Sequence, residues 1–180
     1  NNFIINENVY DKITDATSDV WIPIHMNHMY VSEAYRVWHG EPFKEGYLQA
    51  PVNTDHFDLH GQGPTTDTKY KPLELIPGLN VGGYFDAGDF DIETGSNINV
   101  VQNFVSIWEL FKPLRDMTFV DEDHRYVELH RPDGIPDILQ FIEHGTLNLV
   151  AQAENIGHMS QTLSNSVLDN YHHLGDAASI

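Results

Sequence analysis

The spacing of apolar side chains along the chain predicts three long helices. Apolar residues recur at intervals of three and four over 22–38, 97–112 and 135–155, which places them on one face of a helix. Gly145 falls in the middle of the last segment, where glycine weakens a helix, so we expect a neighbouring helix to pack closely there. Gly157 is well placed to end that helix.

The remaining segments lack sustained periodicity and are rich in glycine, proline, threonine and aspartate. Residues 40–81 and 113–134 are therefore predicted to be connections, and we expect the first to line a cleft. Residues 1–20 alternate short apolar with polar side chains and predict an extended N-terminal arm or linker before a domain over 21–180. The pattern predicts an all-α architecture with long helices and wide loops.

One glycine-rich stretch concentrates the candidate chemistry. Residues 82–90 read Gly-Gly-Tyr-Phe-Asp-Ala-Gly-Asp-Phe, and their glycines allow a bend that turns Asp86 and Asp89 into one cavity. Three aromatic side chains are predicted to wall that cavity and bind substrate: Tyr84, Phe85 and Phe90. Flat rings suit the C–H faces of a sugar, and ionised carboxylates hold and deprotonate a water molecule. The stretch therefore favours a glycosidase.

Other interpretations of the same acidic residues remain open. Aspartate alternating with glycine is also ordinary turn chemistry, in which the side chain bonds nearby backbone. Four acidic residues crowd together and offer a cation site, with calcium as the ion, although their spacing does not match an EF-hand loop: Asp86, Asp89, Asp91 and Glu93. His56 and His60 have the spacing of a zinc pair but no evident third ligand. No metal site or cofactor is predicted.

Three motifs, in order, resemble glycoside hydrolase family nine, the inverting cellulase-like enzymes. The Asp-Ala-Gly-Asp run at 86–89 is similar to the signature of that family, which two glycines and aromatics precede. The run Ala-Tyr-Arg-Val-Trp-His-Gly at 34–40, within 21–40, is similar to the first barrel helix and the turn after it. Asp-Gly-Ile-Pro-Asp-Ile-Leu at 133–139 is similar to the start of a later barrel helix. The resemblance covers most of the chain from about residue 21.

The resemblance implies a fold and a set of roles. The helices would be the opening portion of a six-hairpin α/α barrel, with Asp89 as the general base and Asp86 orienting the attacking water. Tyr84 stands where the family often has tryptophan. No glutamate of the sequence matches the family's proton-donor motif, so we expect the general acid to lie outside this chain. A positioned proton contributes about a hundredfold to ten-thousandfold in rate, so the chain alone is predicted to be inactive or nearly so.

Composition and charge limit the classes of partner that the protein is predicted to bind. The chain has 180 residues, of which 41% are hydrophobic, enough for one domain with a core, and it contains no cysteine for disulfide or thiolate chemistry. Nine basic against 27 acidic residues give a formal charge of −18, which repels phosphate backbones, so no nucleic-acid partner is predicted. No apolar run approaches membrane-spanning length, so no membrane partner is predicted. The same charge favours cationic amino sugars.

These observations predict a fragment of an inverting β-1,4-glycoside hydrolase, endoglucanase-like, that acts on oligo- or polysaccharide glucans. One alternative is an exo-β-glucosaminidase acting on chitosan oligosaccharides, and another is a non-catalytic carbohydrate-binding fragment. A polymer substrate predicts a secreted or periplasmic enzyme, whereas an oligosaccharide-specific enzyme would be cytoplasmic. A partial barrel exposes apolar faces, so we expect either a missing C-terminal part of the domain or self-association.

Overall fold

Two long helices and several short strands make up the computed structural model of the protein. It describes residues 15, 17–26, 29–33, 37–38, 41–42, 47–48, 58–60, 68–71, 74–86 and 91–164. The helices are α1 (Ile22–His25), which follows a π-helical turn at Thr17–Trp21, α2 (Thr94–Phe111) and α3 (Asp137–Asn155). The strands are β1 (Tyr30–Glu33), β2 (Val37–Trp38), β3 (Glu41–Pro42), β4 (Tyr47–Leu48), β5 (Asp58–His60), β6 (Ile92–Glu93), β7 (Thr118–Asp121), β8 (Tyr126–Leu129) and β9 (Thr162–Ser164).

The helix predicted over 22–38 is wrong beyond His25. Met26 leaves the helix in an extended conformation and forms an isolated antiparallel bridge with Tyr84. The chain then pairs as β1, parallel to β8 and antiparallel to β4. Its apolar spacing suited a helix, but pairing with partners distant in sequence decides the conformation of a segment rich in aromatic and β-branched residues.

The other two helices are confirmed. The prediction for 97–112 corresponds to α2, which ends at Phe111 with Lys112 in the left-handed conformation and Pro113 immediately after. The prediction for 135–155 corresponds to α3. Gly157 has φ +90° and its N–H donates to Gln152 O and Ala153 O, so it ends α3 as expected.

Short sheets lie against these helices. The largest has the order β4-β1-β8-β7, in which β7 and β8 form an antiparallel hairpin within the segment predicted only as a connection. A second sheet has the order β5-β9-β6, and β2 pairs with β3. The described residues thus combine helices with small sheets rather than helices alone, and the α/α-barrel assignment remains a prediction.

Two apolar clusters form the core of the described residues. One consists of Ile76, Leu79, Phe85, Ile92, Ala151, Ile156 and Leu163. The other consists of Met26, Met29, Tyr84, Val127 and Leu129. Tyr84 and Phe85 therefore belong to different clusters. The chain passes between the two clusters directly after the two glycines at 82 and 83. The start of the acidic stretch is anchored on both sides.

The predicted boundary after residue 20 is not marked by a loss of contact. Asp15 and Asp19, at the end of the predicted arm, both accept hydrogen bonds from Arg115, which follows α2. At the same, C-terminal end of α2, four apolar side chains are exposed: Ile107, Leu110, Phe111 and Leu114. No helix in the described part of the chain is long and apolar enough to cross a membrane.

Candidate functional site

The two glycines that open the acidic stretch occupy positions that no other residue fits. Gly82 has φ +59° and Gly83 has φ +91°, the left-handed region that glycine adopts without strain. A Cβ on Gly82 would lie 2.2 Å from the His144 carbonyl oxygen, and one on Gly83 would lie 2.8 Å from Ile92 Cδ1. The backbone of this turn therefore lies directly against α3.

A pair of hydrogen bonds fixes the turn to α3. The Gly83 N–H donates to His144 O at 2.8 Å. The Gly83 carbonyl lies 2.8 Å from the Nε2 atom of the same histidine. Both backbone groups of one glycine are thus bound by one residue, and His144 is fully buried.

Tyr84 is part of the core rather than the wall of a cleft. Its residue is 3% exposed, its N–H donates to Asn97 Oδ1 at 3.2 Å, and its hydroxyl donates to Phe141 O at 2.8 Å. Burial, reinforced by the charge of Glu122, raises the pKa of the Tyr84 phenol well above its usual value. The predicted sugar-stacking role is therefore wrong for this ring, because protein atoms cover it.

Phe85 is also buried, at 3% exposure. Its ring belongs to the cluster with Leu79 and Leu163, and its N–H donates to His25 O at 2.8 Å. The predicted substrate-binding role for Phe85 is wrong for the same reason. The two aromatic residues hold the turn in place instead.

Asp86 is the first exposed residue after this anchored turn. The four residues from Gly82 to Phe85 are buried, and each contacts a helix or the core. The backbone that leads to the exposed Asp86 is therefore held in place. Asp89 and Phe90 lie outside the described residues. The pairing of the two aspartates and the role of the third aromatic ring thus stay predictions.

An exposed aromatic side chain lies close to the turn. Trp21 is 62% exposed, and its ring packs on His25 with centroids 4.6 Å apart. His25 is the residue whose carbonyl accepts the Phe85 N–H. Tyr84 and Phe85 are covered, whereas Trp21 presents an exposed aromatic surface near the acidic stretch that no sequence motif indicated.

The buried face of α3 carries a line of polar side chains at four-residue intervals. We call Gln140, His144, Asn148 and Gln152 the polar seam; each is at most 5% exposed. An i, i+4 spacing places them on one side of the helix. The sequence pattern predicted that the apolar residues over 135–155 share one face and did not indicate the seam; the apolar Val150 is 47% exposed.

Each member of the polar seam binds a different segment. The side-chain amide of Gln140 accepts from the Val120 N–H and donates to Thr118 O, which ties α3 to β7. Asn148 donates to Val81 O at 3.4 Å, just before the glycine turn. Gln152 accepts from the Ser160 N–H and pairs with Thr94 Oγ1, at the start of α2. The seam therefore satisfies backbone groups of β7, of the residues before the glycine turn and of the segment after α3.

Asp137, the second aspartate of the motif at 133–139, anchors the start of α3. Asp137 Oδ1 accepts the N–H groups of Met117 and Thr118, each at 2.9 Å, and Oδ2 accepts from Arg115. Burial raises the pKa of the Asp137 carboxyl, although those N–H groups and the guanidinium oppose the rise. This residue is 1% exposed, so it stabilises the fold and does not face a substrate.

A cavity of about 280 Å³ lies between the two long helices, and the acidic turn does not line it. Its lining includes Ile22, Phe104, Ile138 and Phe141 and none of residues 82–86. Within the described part of the chain, no group of three histidine or acidic residues is placed to hold a metal ion. Most of residues 40–81, which we expect to line the cleft, lie outside the described ranges, and so does His56 of the candidate zinc pair.

Comparison of the chain with models of known protein families, with curated proteins and with solved structures finds no match.

Proposed function

We propose that these residues form the water-activating part of an inverting β-1,4-glycoside hydrolase, endoglucanase-like, with a glucan substrate. The observation that carries the proposal is the anchored glycine turn that brings Asp86 to the surface. Gly83 is bound on both backbone groups by His144, and Tyr84 is bound at its N–H and hydroxyl, so the residues that precede the acids are immobilised. A catalytic carboxylate needs such a fixed support, because small displacements of a reacting group lower the rate steeply.

In the proposed reaction Asp89 removes a proton from water as the water attacks the anomeric carbon. Asp86, three residues earlier and exposed, accepts a hydrogen bond from the same water and orients it. The departing oxygen takes a proton from a general acid, which in inverting enzymes lies about 6.5–9.5 Å from the base to leave room for the water. We assign the acid to no residue of this chain.

The exposed Trp21 ring is proposed to support the sugar. Its contact with His25, and the bond from Phe85 to the carbonyl of that histidine, place it beside the turn. An exposed indole presents a flat apolar face, and its N–H remains able to bond a hydroxyl group. Replacing Trp21 with alanine should therefore raise KM for oligosaccharides and leave the fold intact.

A second substrate class is favoured by charge. The formal charge of −18 attracts cationic glucosamine oligomers and leaves neutral glucans unaffected. The two classes separate by assay: release of reducing sugar from carboxymethyl-cellulose or xyloglucan supports the glucan assignment, and release from glucosamine oligomers alone supports an exo-β-glucosaminidase.

The test uses the longest natural form of the protein that contains this sequence. Asp89→Asn should abolish turnover and keep oligosaccharide binding, measured by calorimetry, within about threefold, since the substitution keeps the shape of the side chain. Glu143→Gln, an exposed change on α3, serves as the matched control and should act like the parent. Parental turnover in Asp89→Asn would overturn the assignment. Oligosaccharide binding with no product from any variant would instead indicate a non-catalytic carbohydrate-binding protein.

A further inference from the structure

His144 has an arrangement of partners that an ordinary buried histidine does not need. The residue is 0% exposed, and both ring nitrogens face oxygen atoms. Nδ1 lies 2.7 Å from Glu122 Oε1, and Nε2 lies 2.8 Å from the carbonyl oxygen of Gly83. One histidine therefore joins the β7–β8 hairpin to the glycine turn through the interior of the protein.

The two partners of His144 determine which protonation state of its ring allows both hydrogen bonds. A backbone carbonyl only accepts hydrogen bonds, and an ionised carboxylate only accepts as well. A neutral imidazole has one N–H and one bare nitrogen, so it can satisfy Gly83 or Glu122 but not both. With an ionised Glu122 both bonds form only when both nitrogens carry a proton, which makes the ring a cation beside an anion.

The surroundings of the ring are compatible with that charge. From the hairpin it faces Glu122, whose side chain is 22% exposed. From the glycine turn it faces Tyr84, with ring centroids 5.2 Å apart, and the hydroxyl of that tyrosine donates to Phe141 O. Helix α2 approaches the turn through Asn97, which is neutral. Among the residues that the structure describes, Glu122 is the charged group in contact with the imidazole, and a cationic ring would form an ion pair with it.

We propose that His144 is a positioning residue, which as an imidazolium paired with Glu122 holds the Gly83 carbonyl and so fixes the turn that presents Asp86. Loss of one ring proton removes either the bond to the turn or the bond to the hairpin. The chain would then keep its fold, while the turn would lose one of its anchors. The catalytic consequence rests on the proposed function, whereas the protonation state does not.

The protonation state can be measured on this chain directly. Nitrogen-15 NMR of labelled protein should show both His144 ring nitrogens at the imidazolium position, each with an attached proton. In Glu122→Gln, which removes the anion but keeps an acceptor, one ring nitrogen should lose its proton, and the Gly83 and Asp86 amide resonances should shift as the turn loses that anchor. One bare ring nitrogen under conditions where Glu122 is ionised would overturn the proposal.

The positioning role can be measured in the longest natural form of the protein. His144→Gln keeps a donor but no charge, and it should lower kcat about a hundredfold with little change in KM, as expected when a reacting group shifts by an ångström. The matched control is His124→Asn: His124 pairs with Asp121 in the same hairpin, but its side chain is 81% exposed, and the change should leave kcat unaltered. In Glu122→Gln, which removes the anion that pairs with His144, kcat should also fall with little change in KM.

The outcomes separate the two proposals. Parental kcat in a folded His144→Gln protein, or in Glu122→Gln, would overturn the positioning role. If His144→Gln does not fold, Glu122→Gln still gives the decisive comparison. An imidazolium coupled to the turn in a protein that cleaves no glycan would support the positioning of Asp86 and refute the glycoside hydrolase assignment.

Discussion

Gly145 of α3 lies so close to Val101 of α2 that no side chain fits between them. A Cβ built on Gly145 would be 2.4 Å from Val101 Cγ2 and 3.0 Å from Tyr84 Cε2. The Gly145 carbonyl also accepts a hydrogen bond from the Asn97 side chain at 3.1 Å. The close approach expected from the glycine in mid-helix is thus confirmed, and it sets the packing of the two helices next to the glycine turn.

Replacing Gly145 with alanine should destabilise the protein in spite of alanine's better helix propensity. Overpacking costs about 1–3 kcal/mol, and the propensity gain offsets about 1 kcal/mol. We expect the free energy of unfolding to fall by up to about 2 kcal/mol, measured by urea denaturation followed by circular dichroism.

Two further variants test the cause. Gly95→Ala has nothing within 4 Å of the added Cβ and should be neutral or slightly stabilising. In the Gly145→Ala, Val101→Ala double variant the added methyl no longer meets Val101 Cγ2, its nearest contact, so the total loss should be smaller than the sum of the single losses. Strict additivity would contradict the contact.

Gly82 and Gly134 separate backbone strain from lack of space. Both have positive φ, but a Cβ on Gly82 meets His144 O at 2.2 Å, and one on Gly134 meets nothing within 4 Å. Alanine at Gly134 should cost about 1–2 kcal/mol through the left-handed conformation alone. Alanine at Gly82 should cost about 2–5 kcal/mol, because overpacking adds to that strain. Equal losses in thermal or urea unfolding would show that the turn does not lie against α3.

Asp137 should matter for stability rather than for catalysis. Asp137→Asn keeps the acceptor for Met117 and Thr118 but places an amide against Arg115, so unfolding should become easier by about 1–3 kcal/mol. Glu143→Gln, on the same helix but exposed, is the control and should change stability by less than about 0.5 kcal/mol. Any residual turnover, corrected for folded protein, should be unchanged in Asp137→Asn.

Local patterns predicted two of the three long helices correctly. In α2 and α3 the chain has helical spacing over five turns and clear end signals at Pro113 and Gly157, so local preference and tertiary structure agree. At 22–38 the spacing was also helical, but the strand pairing of Tyr30–Glu33 with the distant Tyr126–Leu129 decides the conformation. Periodicity contains no information about such pairing.

The sequence did not predict the polar seam that holds the glycine turn, and the reason is different. Hydrophobic periodicity assumes that buried helix faces are apolar, whereas α3 buries Gln140, His144, Asn148 and Gln152. Their four-residue spacing was the available signal. These polar side chains are stable in the interior because they bond backbone groups of the turn and the hairpin. Only the folded chain brings those groups to the helix. The same folding buries the Tyr84 ring that the sequence placed at a cleft.

Azide should distinguish loss of the base from general damage to the enzyme. Azide is a nucleophile that needs no deprotonation, so it should restore glycosidic cleavage in Asp89→Asn and yield a glycosyl azide. It should not accelerate the parent enzyme, in which water is already activated. His144→Gln retains Asp89, so azide should rescue it less. Product analysis by mass spectrometry gives the result, and rescue of both variants to the same extent would contradict the distinct roles.

The most direct test is the configuration of the sugar at the moment of release. Proton NMR during hydrolysis of a cello-oligosaccharide, by the longest natural form of the protein, should show the α-anomer first, because a single attack by water inverts a β-linkage. The same experiment with Asp89→Asn should show no release. First appearance of the β-anomer, or release by Asp89→Asn at the parental rate, would contradict a water-activating base at this turn.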